Sequence, residues 1–145
     1  VIRIERLLTR HEGKRRRPYK DSVGKLTVGI GRNIDDVPFR DNEILMMFRN
    51  DLSEATNQCQ RMFSVWNELS DVRQAVLIDM MFNMGPRTLK KFVKMRRAVM
   101  RNDFVEASAQ MLDSRWATQV GRKPKQRAWR LAKMMLTDEW PSDMS

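Results

Sequence analysis

Val72 to Met84, near the middle of the chain, constrains the fold more than any other stretch. Apolar residues at Val72, Ala75, Val76, Leu77, Ile78, Met80, Met81, Phe82 and Met84 cover nearly every face of a helix. A helix that is apolar all round is a buried one. Ser70 or Asp71 can start it, and Gly85-Pro86 ends it. Such a helix needs a body to enclose it, and the flanking sequence supplies amphipathic helices. Ile4, Leu7, Leu8 and His11 lie on one helical face, with Gly13 as the stop. Asp41 can cap a helix from Asn42 towards Met62, striped by Ile44, Phe48, Leu52, Ala55 and Cys59. Leu89, Phe92, Met95 and Val99 continue at helical spacing. Phe104 to Leu112 follows, with Asn102 or Asp103 as cap and Val105, Ala109 and Leu112 as its face. The basic loop Val120 to Pro124 leads to a last helix, with Pro124 in its first turn. That helix buries Ala128, Leu131, Ala132 and Met135. The tail from Thr137 to Ser145 has no firm pattern.

The 145 residues suit one domain, or two lobes sharing a helix, and are enough to bury a sizeable core. With 41% apolar and 32% charged residues, the composition is globular and not disordered. Cys59 is the single cysteine, so no internal disulfide forms and packing must stabilise the fold. A small buried residue on a helix is the plain account of it. The twelve Met include the neighbours Met46-Met47, Met80-Met81 and Met134-Met135. Adjacent helical residues do not converge on one point, so core filling is favoured over a metal site. No apolar run approaches the ~20 residues of a membrane span, and Val1 to Arg6 is charged too early to be a signal peptide.

One segment departs from the helical pattern. Arg17-Pro18-Tyr19-Lys20 and Lys25-Leu26-Thr27-Val28-Gly29-Ile30 are short strand-compatible runs around Asp21-Ser22-Val23-Gly24, a turn. This hairpin is the one convincing sheet in the sequence. Gly29 and Gly31 flank Ile30, but the pair lacks the third Gly and following helix of a dinucleotide loop. A chain bend or close backbone packing is the better account. Asn33 to Arg40 is polar and contains a Pro, hence a loop.

The chemistry available is narrow. One His and one Cys, without H-x-x-x-H or C-x-x-C spacing, exclude the common zinc sites. A Ser-His-Asp triad would need His11, whose place on an apolar helix face favours packing or a hydrogen bond. The acids remain. Glu12 ends the first helix and Asp21 opens the turn, with Thr27 just beyond it. Taken singly, Glu12 could be a surface ion pair and Asp21 a turn former. Taken together, a helix end followed at once by a hairpin can face Glu12 towards Asp21 and Thr27 across a gap. Glycoside hydrolysis needs such an acid and carboxylate on opposite sides of a sugar. A hydroxyl beside the carboxylate helps hold a water molecule, and the helical body would form the other wall of a cleft.

Three groups of residues carry a resemblance: His11-Glu12-Gly13, Tyr19-Lys20-Asp21, and Leu26-Thr27-Val28-Gly29-Ile30-Gly31. They resemble the active-site segment of the phage-type lysozymes, the endolysin family of the T-even phage lysozyme and its more compact relatives. The spacings, nine residues from Glu12 to Asp21 and six from Asp21 to Thr27, fit that pattern. The likeness continues at Met81 to Gly85, at Ser114-Arg115-Trp116 and at Gln126-Arg127-Ala128, so it spans nearly the whole chain in order. It implies an α+β, mostly helical, two-lobed fold in a single domain over residues 1–145. The small sheet lobe would cover about 14–40 and the helical lobe about 62–145 plus the N-terminal helix, joined by the long helix.

The resemblance also implies a cofactor-free, inverting muramidase that cuts the β-1,4 bond between N-acetylmuramic acid and N-acetylglucosamine in peptidoglycan. Glu12 matches the general acid, and Asp21 with Thr27 the pair that positions and activates water. Phe82, Asn83, Gln110 and Arg115 match positions lining the glycan cleft. Such an enzyme would be made in the host cytoplasm, act as a monomer on the wall in the periplasm, and lyse the bacterium for a phage. The sequence departs from the T-even enzyme at Arg32, where that enzyme has His. An Arg keeps its charge at all working pH values, and Asp51 on the long helix is its expected partner. The short Asn33–Arg40 stretch makes the sheet lobe compact.

Twenty-eight Lys+Arg against eighteen Asp+Glu give a net charge of +10, which suits a polyanionic partner. The rival reading is a basic helical nucleic-acid-binding module using Lys14 to Arg17 and Arg122 to Arg127. No helix-turn-helix signature accompanies those runs.

Overall fold

The computed structural model describes residues 2–144 and is mostly helical, with one small antiparallel sheet. It divides into two compact units, Val1–Met47 and Phe48–Ser145. The N-terminal helix falls in the first of these.

In the first unit, α1 (Ile2–Glu12) ends where expected. Gly13 takes φ +75°, and its N–H donates to the Thr9 carbonyl at 2.8 Å, a left-handed helix stop that Gly tolerates without a Cβ clash. The sheet runs β1 (Arg15–Lys20), β2 (Leu26–Gly29) and β3 (Arg32–Asn33), in that spatial order. Tyr19 pairs with Thr27 and Lys20 with Leu26, with an irregularity between Arg15 and Tyr19. Thr27 pairs with Asn33 and Val28 with Arg32. The expected hairpin is therefore present. The third strand was not anticipated, because two residues, the second of them in the expected loop, are too few to show alternation. The Gly29-Ile30-Gly31 bend is the tight connection that turns β2 back into β3. The loop after β3 is tied to the sheet by carboxylates. Asp35 accepts from the Leu26 N–H at 2.7 Å. Asp36 accepts from Asn33 and then Lys25, which together hold its carboxyl below the usual range.

The long helix α2 (Asp41–Met62) begins one residue earlier than expected. Arg40, not Asp41, occupies the capping position: its carbonyl accepts from the Glu43 and Ile44 N–H groups. The Glu43 side chain reaches back to accept from the Arg40 N–H at 2.9 Å, half of a capping box. The boundary between the two units falls inside this helix, after Met47. Of its apolar stripe, Ala55 and Cys59 are buried. Burial pushes the Cys59 thiol up to about 12, so it stays protonated and unreactive at neutral pH.

The second unit is built round α3 (Asp71–Leu89), whose Val72, Val76, Leu77, Met80 and Met81 are buried. Ser70 caps it by accepting from the Arg73 N–H at 3.2 Å. The helical path breaks at Gly85 (φ +81°), and a last turn resumes at Pro86. Around α3 lie α4 (Val93–Met100), α5 (Phe104–Leu112), α6 (Arg115–Val120) and α7 (Arg127–Thr137). Leu77, Met80, Met95, Met111 and Met135 are completely buried in one continuous core, so methionine does fill the interior. Met46 and Met47 do not; both are exposed.

Three expectations are corrected in this unit. The buried face of α5 is Ala107, Ser108 and Met111, while Val105 and Ala109 point outward. Small residues face inward because α5 packs closely on α7, where the Ser108 hydroxyl donates to the Ala132 carbonyl at 2.9 Å. The helix α6 was not anticipated; six residues give no readable period, although Ser114 caps it. Pro124 lies in the turn before α7, which starts three residues later at Arg127. Asp103 is the cap of α5, accepting from the Glu106 N–H at 3.0 Å. Asp103→Ala should therefore lower unfolding free energy by ~1 kcal/mol. Urea denaturation would measure it, and an unchanged midpoint would contradict the cap.

Candidate active site

The first unit holds all three expected catalytic residues within one short run of structure. Glu12 is the last residue of α1, exposed, and its carboxyl has no hydrogen bond or ion pair among the described residues. Its neighbour is backbone. A Cβ placed on Gly31 would stand 2.7 Å from Glu12 Cδ and Oε2, so the bare face of that glycine lies against the acid.

Asp21 sits at the turn between β1 and β2, and its two oxygens differ. Oδ1 accepts from the Val23 N–H at 3.0 Å and the Lys25 N–H at 2.8 Å, which shapes the turn. Oδ2 has no partner among the described residues, which leaves it open to a ligand or a water. Thr27 is buried in the middle strand, and its hydroxyl donates to the Lys25 carbonyl at 3.0 Å. The Lys25 main chain thus anchors both residues, through its N–H to Asp21 and its C=O from Thr27. The turn-former and catalytic accounts of Asp21 are compatible, one for each oxygen.

The surroundings are strongly basic. Arg10, Lys14, Arg15, Arg16, Arg17 and Lys20 are all exposed within eleven residues. Arg15 lies 4.7 Å from the centre of the Tyr19 ring. His11 is exposed and not packed as expected.

Arg32 does not take Asp51 as its partner. Its Nη2 lies 2.7 Å from Glu43 Oε2, and its Nη1 is buried without a hydrogen bond. Both carboxylates lie on the same predicted helix, and spacing alone could not choose between them. The Glu43 carboxyl is held down at about 2, first by the Arg32 hydrogen bond and then by the Arg40 N–H. A carboxyl whose folded pKa lies below its ordinary 4.5 stabilises the fold above that value, and loses the contribution as pH falls towards about 2. Glu43→Gln should accordingly lower the melting midpoint at neutral pH, with the gap from wild type closing as pH falls to about 2. Equal midpoints at neutral pH would contradict the pair.

In the second unit, Asn83, Gln110 and Arg115 line one cavity of about 840 Å³, together with Phe92, Asp113 and Trp116. The Trp116 indole N–H donates to Asn83 Oδ1 at 2.8 Å, and Gln110 donates to Glu106 at 2.7 Å. The Ser114–Trp116 stretch is expected at the cleft wall, but the bond by which the Trp116 indole N–H fixes the Asn83 amide was not anticipated. Phe82 does not line this cavity. It is half-exposed and packs edge-on against Phe48, with ring centres 6.0 Å apart. Among the described residues, no three His, Cys, Asp or Glu side chains gather as a metal site would need, and no helix is long and apolar enough to cross a membrane.

Glu12, Asp21 and Thr27 all fall inside the stretch that a known family matches. The phage lysozyme family matches residues 9–130, from the last turn of α1 into α7, and the chain belongs to that family. It is a lysozyme-type glycoside hydrolase whose substrate is peptidoglycan. Among individual proteins, it is 24% and 25% identical to the probable T4-type lysozymes 2 and 1 of Dictyostelium discoideum. These matches cover 85% and 83% of this chain, and 89% and 88% of the relatives. It is also 29% identical to the pre-baseplate central spike protein Gp5 of Enterobacteria phage T4, over 90% of this chain but 27% of that protein.

Proposed function

We propose that the protein is an inverting muramidase that hydrolyses the β-1,4 bond between N-acetylmuramic acid and N-acetylglucosamine. Glu12 donates a proton to the leaving glycosidic oxygen. Asp21 Oδ2 acts as the base towards a water that the Thr27 hydroxyl helps to hold, on the opposite face of the sugar. The observation that carries this reading is the asymmetry of Asp21: one oxygen is committed to the turn and the other is free, beside a threonine fixed through the same Lys25 backbone. Asn83, Gln110 and Arg115 hold glycan at their cavity, with Phe82 offering an apolar face to a sugar ring. The protein acts as a monomer in the periplasm and lyses the host cell for a phage, without binding nucleic acid specifically. Its cationic surface attracts the acidic wall.

Clearing of purified peptidoglycan, with proton NMR of the first anomer released, tests the proposal. It predicts clearing and an α-anomer from the β-linked substrate. Intact glycan chains would contradict the activity, and an initial β-anomer would contradict inversion. The similarity to a baseplate spike protein supports a second reading, in which the same enzyme is mounted on a phage particle and opens the wall on entry. Detection of the chain in purified virions would favour that reading over free release at lysis.

A further inference from the structure

We propose that Gly31, fixed by the Arg32–Glu43 ion pair, is a positioning residue for the Glu12 carboxyl. The inference lies within the first unit and rests on Glu12 being the general acid. Gly29 and Gly31 both adopt left-handed φ, +68° and +70°, on either side of Ile30. Their surroundings differ. A Cβ on Gly29 would meet nothing within 4 Å, whereas one on Gly31 would come within 2.7 Å of Glu12 Cδ and Oε2 and 2.9 Å of Cγ. Glu12 has no hydrogen bond or ion pair among the described residues, and the Gly31 backbone is a surface that stands directly against its carboxyl in this unit.

That surface is itself held. Arg32, the next residue, pairs with Val28 in the sheet and reaches Glu43 with Nη2. Glu43 lies in the first turn of α2, and its other oxygen takes the Arg40 N–H. One carboxylate therefore binds β3 and caps α2 at once, which fixes the end of the bend that carries Gly31. Arg32 Nη1 is buried and unpartnered, so the guanidinium has no second carboxylate to hold it if Glu43 is lost. The low pKa of Glu43 keeps the pair charged at neutral pH. A proton donor in glycoside hydrolysis must meet the leaving oxygen at hydrogen-bond distance, and the clamp sets where that donor stands.

The test compares kcat, KM and melting midpoint on purified peptidoglycan for Gly31→Ala, Gly29→Ala, Arg32→Gln, Arg32→Lys and Glu12→Gln. Gly29→Ala and Gly31→Ala share the same backbone strain, so their midpoints should fall together. Gly31→Ala should lower kcat roughly 100-fold with KM little changed, the loss expected for displacing a catalytic group by about 1 Å. Gly29→Ala should stay within about threefold of wild type, because strain alone does not move the acid. Arg32→Gln should lower kcat about tenfold at temperatures well below its midpoint, and Arg32→Lys, which can still pair with Glu43, should restore most of it. Equal kcat losses in the two glycine variants would overturn the proposal. If Gly31→Ala does not fold, an Arg32→Gln variant with wild-type kcat would overturn it instead. A fully active Glu12→Gln would mark failure of the acid assignment itself, which separates the two outcomes.

Discussion

Glu12→Gln is expected to abolish peptidoglycan clearing while leaving the melting midpoint unchanged. The side chain is exposed and has no hydrogen bond or ion pair among the described residues, so replacing its carboxyl with an amide of the same shape removes no stabilising contact. It does remove the proton. Departure of an unprotonated sugar alkoxide is slow, and a positioned general acid contributes ~10²–10⁴-fold to the rate. The loss should appear in kcat, because an amide of equal size still admits substrate. Full activity in Glu12→Gln, measured as the rate of clearing under matched conditions, would remove Glu12 from the chemistry.

The second large effect concerns Asp21, where two roles can be separated by the choice of substitution. In Asp21→Asn, the amide oxygen can still accept from the Val23 and Lys25 N–H groups, so the turn between β1 and β2 should persist. The other position becomes an NH₂, which cannot take a proton from water. Clearing should fall by ~10²–10⁴-fold with an unchanged circular dichroism spectrum. Asp21→Ala removes the oxygen that accepts both turn N–H groups, and should further cost about 1 kcal/mol of stability for the lost hydrogen bonds. Wild-type activity in Asp21→Asn would reduce Asp21 to a turn former. Equal stability of Asn and Ala variants would contradict the hydrogen-bonded turn.

Much of this was legible in the sequence because the signals are local. Gly13 stops α1, Ser70 and Asp103 cap their helices, and Asp21 to Gly24 turns a hairpin, each through contacts within about four residues. The acid, the aspartate and the threonine lie on those same local features, so their neighbourhood could be anticipated. The failures are of the opposite kind. The buried face of α5 follows from close approach to α7, where Ala107 and Ser108 fit and a bulkier Val105 does not need to. The partner of Arg32 was chosen by the path of the chain after β3, which brings Glu43 and not Asp51 to its guanidinium. The contact between Gly31 and Glu12 joins residues nineteen apart and involves no side chain on one of them, so no pattern of residue types announces it. The bond from the Trp116 indole to Asn83 escaped for the same reason, since the two residues lie thirty-three positions apart.

Acid-assisted hydrolysis from Glu12 at muramic acid would leave a distinctive new chain end. Mass spectrometry of borohydride-reduced digestion products reads that end. The new ends should be reduced N-acetylmuramic acid, accumulating with wild-type protein and absent with Glu12→Gln. Ends of reduced N-acetylglucosamine, anhydromuramic ends, or released peptides on uncut glycan would contradict it.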